Sequence, residues 1–566
     1  VQAGARVDAT EAAWNQTPLI FAAARGHAAA VRALVKAGAD PNHHTRWVDV
    51  EERSEADEAA DERLEEVLEK LKESEGGGPD WRPTPSQVQA AIEAAREVQR
   101  RWPDVPRPDQ EAEEGGSAEE SASPPEGPHP RKEGAAPQVG DSVPDESGPE
   151  EGAPAAGDDA LTPPSPDSAA PRPKSYAQMV ERWGGLTPLL HAVRQGHREA
   201  ALDLIGVGAD VNLASDGDGT TPLLMAALNG QFDLAIELLE LGADPNARGV
   251  AGVTPLFATL ERQWAPRASY AHPTAHQQQE STHLALLEAL LEAGADPNTR
   301  LDSHLWFMEY TFGVLRGSGI NLEGATPFWR AAYALDVDAM RLLKDHGADP
   351  SLATVKPPER RRRPMEAEPT EEESEEGEAQ PADEDEAAEG EGAAEPTEAV
   401  GAEEEGGLIK ANAEGESAHE EEEGAAEEEE IDHSGVPPVE VGGPHIHPLH
   451  AASGVGYGQS FAGNAHRYVP GNWLAAVRFL VEECGADVNL RDANAYTPLH
   501  HAASRGDNEL IRYLVSQGAD VTLVSRSGQT TADMANGPVQ RVPPYPETID
   551  LLVELGAKNN DKCVSC

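Results

Sequence analysis

Thr497-Pro498-Leu499-His500-His501-Ala502-Ala503, followed by Gly506 and then Gly518-Ala519-Asp520, is the stretch on which the reading of the fold turns. Thr is a good helix N-cap, and Pro fits the first helical position, where its missing N–H costs nothing. The two alanines are small enough to let a neighbouring helix approach closely. Gly506 supplies a turn, and Gly518 is placed for the left-handed cap of a second helix that carries Ile511, Leu514 and Val515 on one stripe. The unit reads as helix, turn, helix and extended finger.

The phrase recurs in phase. Thr17 to Gly38, Thr187 to Gly208, Thr221 to Gly242, Thr326 to Gly347 and Thr497 to Gly518 are each 21 residues apart, and Thr187, Thr221 and Thr254 step by 34 and 33. Small pairs follow the openings (Ala22 and Ala23, Ala226 and Ala227, Ala331 and Ala332), and Gly26, Gly196 and Gly230 stand at the turn. Openings at Thr17, Thr187, Thr221, Thr254, Thr326, His447, Thr497 and Thr530 mark eight units. One helix pair cannot bury its own apolar face, so about three or more must stack. The expected class is an all-α solenoid of helix-turn-helix units with hairpin fingers, interrupted by two long acidic loops.

These phrases closely resemble the ankyrin repeat, although His447-Pro448-Leu449 departs from Thr-Pro-Leu and Thr530-Thr531-Ala532 lacks the Pro. The resemblance implies a protein-binding role without catalysis. It also implies a structural use of His450 and His500, which occupy the family's Thr-Pro-Leu-His slot and would bond neighbouring backbone. Trp264-Ala265-Pro266, Ala331-Ala332-Tyr333 and residues 533–541 and 558–566 look like long ankyrin-repeat proteins of environmental bacteria. That likeness implies a bacterial origin and an exported precursor, so an exported or periplasmic location is favoured over a cytoplasmic one. Gly4-Ala5 precedes Thr17 as Gly208 precedes Thr221, and the chain opens without Met, so an N-terminus shortened inside an earlier repeat is expected.

Composition bounds the partners. Of 566 residues, 44 are Lys or Arg and 102 are Asp or Glu, a formal charge of −58 that repels nucleic acid and anionic membrane, leaving protein partners. No apolar run approaches the roughly 18 to 20 residues of a membrane helix. Hydrophobic residues make up only 38%, so they concentrate in the repeats.

The expected organisation follows the phase. Residues 1–45 hold the end of one repeat and a complete one; 46–102 form a charged, helix-prone insertion with Ala56, Ala60, Leu64, Val67, Leu68 and Leu71 at helical spacing. Residues 103–173 are Pro-, Gly-, Ser- and Glu-rich and expected to be disordered. Four repeats span 174–350, a disordered acidic linker 351–443, three repeats 444–560, and a Cys-x-x-Cys tail 561–566. Loop-closure cost grows by only about 0.6 kcal/mol per doubling of length, so one interrupted superhelix is favoured over separate small domains.

Shorter insertions at 264–282, 457–473 and 537–546 fall at the inter-helix turn, and 299–324 falls at a finger. They carry Trp264, Tyr270, His272, Trp306, Tyr310, Tyr457, His466, Tyr468 and Trp473, which read either as rings packed locally against their own repeats or as partner-binding anchors.

Other chemistry is sparse. Cys563 and Cys566 suit a redox pair, a disulfide or half of a metal site, and give the alternative reading of a redox or metal-handling accessory protein. A third reading is a structural spacer without a partner. His445, His447 and His450 resemble ligands by count but coincide with the structural slot, while Arg360, Arg361, Arg362 and Arg363 read as a solvated run among carboxylates. Gly454, Gly456 and Gly458 lack the third glycine and preceding strand of a dinucleotide fingerprint, since Gln459 follows. No nucleophile elbow, P-loop or His-Glu-x-x-His occurs, so neither an enzyme nor a cofactor is expected.

Overall fold

The computed structural model describes residues 4–78, 81–101, 175–265, 274–305, 320–358, 432–457, 467–537 and 543–561. Within them the repeat phase becomes helix pairs. The inner helices are α1 (Pro18–Ala24), α6 (Pro188–Arg194), α8 (Pro222–Asn229), α10 (Pro255–Gln263), α12 (Pro327–Tyr333), α14 (Pro448–Ser453), α16 (Pro498–Ser504) and α18 (Thr531–Ala535). Their outer partners are α2 (Ala28–Lys36), α7 (Arg198–Gly206), α9 (Phe232–Glu240), α11 (His283–Glu292), α13 (Val337–Asp345), α15 (Trp473–Arg478), α17 (Asn508–Ser516) and α19 (Pro546–Glu554). A π-helical turn over Phe479–Glu483 continues α15.

Each inner helix starts where the caps place it. The hydroxyls of Thr17, Thr187 and Thr326 accept the N–H three residues on, at 3.3, 3.2 and 3.1 Å. Proline follows each, pre-set for the helix. Apolar side chains then drive the stack: Leu19, Leu189, Leu223, Leu256, Phe328, Leu449 and Leu499 are all buried, each contributing about 2 kcal/mol.

The inner helices pack in unbroken order, α1 on α6, α6 on α8, α8 on α10, α10 on α12, α12 on α14, α14 on α16 and α16 on α18. Two of these contacts, α1 on α6 and α12 on α14, join repeats flanking the two long insertions. One apolar core runs from Leu19 to Leu552.

A hydrogen-bond ladder ties the fingers together. Asn298 is typical: its Nδ2 donates to the Gly347 carbonyl at 2.9 Å, and its Oδ1 accepts the Asp349 N–H at 2.7 Å. Asn42, Asn212, Asn246 and Asn489 do the same across their own junctions. Ser351 occupies the corresponding place in the fifth repeat and bonds Asp349 of its own turn instead, while its carbonyl meets His447 Nδ1.

The charged insertion leaves on a two-stranded antiparallel ribbon, β1 (Trp47–Asp49) against β2 (Arg182–Gly184), with Trp47 opposite Gly184 and Asp49 opposite Arg182. From it rise α3 (Val50–Ser74) and α4 (Pro85–Arg101), which pack on each other through Ala60, Leu64, Ala95 and Val98; the short α5 (Tyr176–Val180) leads back to β2. This charged stretch folds as a helical hairpin.

Within the stretch 351–443, expected from sequence to be a disordered linker, the described residues are 351–358 and 432–443. Thr354, Val355 and Lys356 bridge to Gly443, Pro444 and Ile446, extending the finger by backbone pairing. Residues 432–437 lie on the seventh repeat's finger. Residues 103–173 and 359–431 lie outside the described residues.

Candidate protein-binding surface

The inter-helix edge is built from the turn residue upward. Gly26, Gly196, Gly230 and Gly506 all take positive φ there, and a Cβ on any of them would lie within 2.9 Å of the next unit's His197, Gln231, His276 or Tyr545. The fifth repeat has Leu335 at this place, also at positive φ (56°) and fully buried. Its αL backbone costs roughly 1–2 kcal/mol, less than the burial of a leucine returns.

The described parts of the three edge insertions fold back onto neighbouring repeats. In the first, Asp233 at the start of α9 accepts the N–H groups of Glu280 and Ser281 at 2.9 and 2.8 Å, and the His276 ring lies 6.2 Å from Phe232. Trp264 reaches forward: its indole N–H donates to Asp336 Oδ2 at 2.9 Å, and His283 Nε2 meets the same oxygen at 2.8 Å. Burial raises the Asp336 pKa, but its contacts with His283, Ala339 and Trp264 outweigh this and leave it below the ordinary carboxylate range.

In the second insertion, the Val469 N–H and Asn472 Nδ2 donate to the carbonyls of Ala334 and Leu335, both at 2.9 Å. Trp473 lies under the Arg505 guanidinium, 3.2 Å from ring centroid to Cζ, with Tyr457 at 5.9 Å from the same group and Tyr468 at 4.8 Å from Trp473. Burial holds Arg505 below the usual arginine range. In the third, the Tyr545 ring closes on Gly506.

Trp264, Tyr457, Tyr468 and Trp473 are therefore half-buried rings that splint adjacent repeats, each with part of its surface facing solvent. Tyr270, His272, Trp306, Tyr310, His466, Cys563 and Cys566 lie outside the described residues. Cys484 is half-buried, and burial pushes its thiol up to about 11, so it is protonated at neutral pH.

His450 and His445 bond backbone. His450 Nδ1 accepts the His447 N–H at 3.2 Å, which leaves Nε2–H to donate to the Leu490 carbonyl at 3.0 Å. His445 Nδ1 accepts the Ala493 N–H at 3.3 Å. Trp329 stands in the same slot as His450 and donates its indole N–H to the Ile446 carbonyl at 2.9 Å. Among the described residues, no group of three or more His, Cys, Asp or Glu is arranged to hold a metal ion.

At the finger insertion, Leu301, Leu305, Ile320 and Leu322 are buried with Phe257, Trp329 and Tyr333, so the chain covers its own inner helices at the fourth and fifth repeats. Trp14, Trp47 and Trp183 are 40%, 43% and 47% exposed, and all three stand at the fingers beside the first repeat. Sequence reading missed them because only the ribbon brings Trp183 to within 5.4 Å of Trp14.

Comparison with known proteins agrees with this architecture. Residues 173–249 and 466–563 match the family model for ankyrin repeats in three copies, and residues 14–46 match that for a single ankyrin repeat. The chain is similar to human ankyrin repeat domain-containing protein 49, 46% identical over 54 residues, covering 10% of this chain and 23% of that one. It is also similar to human protein phosphatase 1 regulatory subunit 27, 36% identical over 86 residues, covering 15% of this chain and 51% of that protein. The chain spans about half or less of the length of these curated relatives. Among solved structures, the ankyrin repeat domain of human ASB11 aligns over 65% of this chain and 98% of that one, with 19% identity and a TM-score of 0.34. The chain contains ankyrin repeats at residues 14–46, 173–249 and 466–563.

Proposed function

We propose that this chain of ankyrin repeats is a non-catalytic scaffold that holds protein partners along its fingers and its inserted inter-helix edge. The observation that carries the reading is the unbroken packing of inner helices from α1 to α18. Such a stack presents side chains from many repeats at fixed spacing, which suits recognition by shape and side-chain complementarity. The finger insertion covers the inner helices of the middle repeats, so the contact surface lies at the fingers of the first repeats and along the inserted edge. There the half-exposed faces of Trp264, Tyr457, Tyr468 and Trp473 serve as anchors in addition to splinting the stack. The relative named as regulatory subunit 27 of protein phosphatase 1 supports a partner-directed role.

The acidic tracts act as solubilising and steering tethers for basic partners. An exported or periplasmic location, and kinship with the long ankyrin-repeat proteins of environmental bacteria, complete the reading and rest on residues 533–541 and 558–566. No described helix is long and apolar enough to cross a membrane.

Affinity capture from a native extract, followed by cross-linking mass spectrometry on the full chain, tests the scaffold role. A saturable partner cross-linked to the fingers or the inserted edge is the expected result. Absence of any saturable partner would leave a structural spacer.

A further inference from the structure

The fifth repeat breaks the asparagine ladder of the fingers. Asn42, Asn212, Asn246 and Asn298 each tie one finger to the next, but Ser351 stands at the following place and its side chain bonds Asp349 of its own turn. Histidines hold the chain here instead. The Ser351 carbonyl meets His447 Nδ1 at 3.1 Å. His445, on the strand that pairs with the fifth finger, accepts the Ala493 N–H through Nδ1 at 3.3 Å, and His450 Nε2 donates to the Leu490 carbonyl at 3.0 Å. The strand 443–446 and the start of α14 are thereby fastened to the sixth repeat's finger. An amide side chain keeps its hydrogen bonds across the pH range, whereas an imidazole acceptor is lost when it takes a proton.

These rings gather around one carboxylate. His445, His450, His501 and Asp492 are all buried, and the His450 ring centroid lies 5.8 Å from those of both His447 and His501. Asp492 Oδ1 accepts the N–H groups of Asn494 and Tyr496, both at 2.9 Å, and its Oδ2 lies 3.7 Å from His501 Nε2 on α16. Lys356, on the fifth finger, adds a positive charge that acts on His445. Burial is the largest cause that lowers the pKa of His445 and of His450, the latter to about 3; Asp492 opposes it, while His501 and His447 add to it. One carboxylate offsets one imidazolium, so a second charged ring in this cluster stays uncompensated.

We propose that this cluster is an acid-released clasp: protonation of His445, reinforced by its histidine neighbours, parts the strand 443–446 from the finger at 490–494 while the helix pairs on either side stay stacked. A proton on His445 Nδ1 stands against the Ala493 N–H, donor against donor, and the same conflict arises between His450 Nδ1 and the His447 N–H. Opening hydrates the rings and removes it. A ring that is neutral when closed and titrates near 6.5 when open favours opening about tenfold more for each pH unit below that value. The clasp is therefore complete above about pH 6.5 and is lost as pH falls below it. This goes beyond the scaffold reading, because the junction of the fifth and sixth repeats, without an asparagine rung, becomes free to flex in acid.

Hydrogen exchange mass spectrometry of the full chain at pH 7.5 and pH 5.0, each corrected for intrinsic exchange, tests this. Peptides over 443–447 and 490–494 lose protection at least tenfold at the lower pH. Peptides that report the Asp210 and Asp244 N–H groups, held by Asn42 and Asn212, keep theirs. His445→Asn, which offers an acceptor near the place of Nδ1 but does not titrate, removes most of the response. Should that variant already be open at pH 7.5, Asp492→Asn decides. Without its carboxylate the cluster opens more in acid than the natural chain does, whereas loss of a merely structural contact loosens it equally at both pH values. Unchanged protection of 443–447 in acid, an equal loss at the asparagine-held fingers, an undiminished response in a folded His445 variant, or a pH-independent effect of Asp492→Asn would overturn the proposal.

Discussion

The Arg330 guanidinium lies 2.6 Å from the Glu261 carboxylate, and the two side chains are only 1% and 3% exposed. The pair joins α12 to α10, and Arg330 Nη2 also donates to the Trp264 carbonyl at 2.8 Å, so one cation connects the inner stack to the inserted edge.

Removing one partner leaves a charge buried without compensation. Glu261→Ala is expected to lower stability by about 3–5 kcal/mol, whereas Glu261→Leu combined with Arg330→Met is expected to be near neutral or stabilising, because the desolvation cost of both ions vanishes. Urea denaturation of the three proteins followed by circular dichroism checks this; equal loss in the single and double variants would contradict it.

Leu335 sets two local effects against each other. Leu335→Gly relieves roughly 1–2 kcal/mol of αL strain but removes a fully buried side chain worth about 2–5 kcal/mol. Net destabilisation of about 1–3 kcal/mol is expected. A rise in thermal midpoint would show that strain, rather than packing, dominates this turn.

Acid weakens the stack through its buried histidines. Burial, the largest cause, lowers His450 to about 3 and His500 and His191 to about 4, although Asp492 partly opposes this at His450 and His500. Each is neutral when folded yet titrates near 6.5 when unfolded, so the unfolded chain binds more protons between these values. Stability is complete above about pH 6.5 and falls progressively as pH drops toward about 4. Thermal midpoints measured from pH 7.5 to 4.5 should decline, and His450→Gln, which cannot titrate, should flatten the decline. A constant midpoint across this range would be inconsistent with these burials.

Arg526 clamps the returning end of the second acidic insertion. Its guanidinium bonds Asp432, the Pro437 carbonyl at 2.7 Å and the Val436 carbonyl at 3.1 Å, while Nε holds the Ala493 carbonyl at 2.8 Å. Arg526→Ala should make the amides of 432–436 exchange at least tenfold faster while the helices of the stack keep their protection. Hydrogen exchange mass spectrometry distinguishes this from a general loss of stability.

The stack itself was legible because its signals are local. Thr187, Pro188 and Gly196 cap, start and turn a helix pair within ten residues, and that pair recurs at fixed spacing. His450 was also legible as a structural residue, since its slot lies three positions from its N-cap. The inserted edge was only half legible: its aromatic content was visible, but Trp264 reaching Asp336 depends on how the next repeat is placed.

By itself the sequence determined the repeat phase, the helix boundaries and the all-α class, because caps, turns and apolar stripes act over a few residues. Tertiary structure alone decided that the finger insertion covers the inner helices, that Arg330 finds Glu261, and that Trp14 meets Trp183 from 169 positions away. The physical reason is that such meetings depend on stacking: only once the helices of successive repeats are packed in register do residues distant in the chain become neighbours.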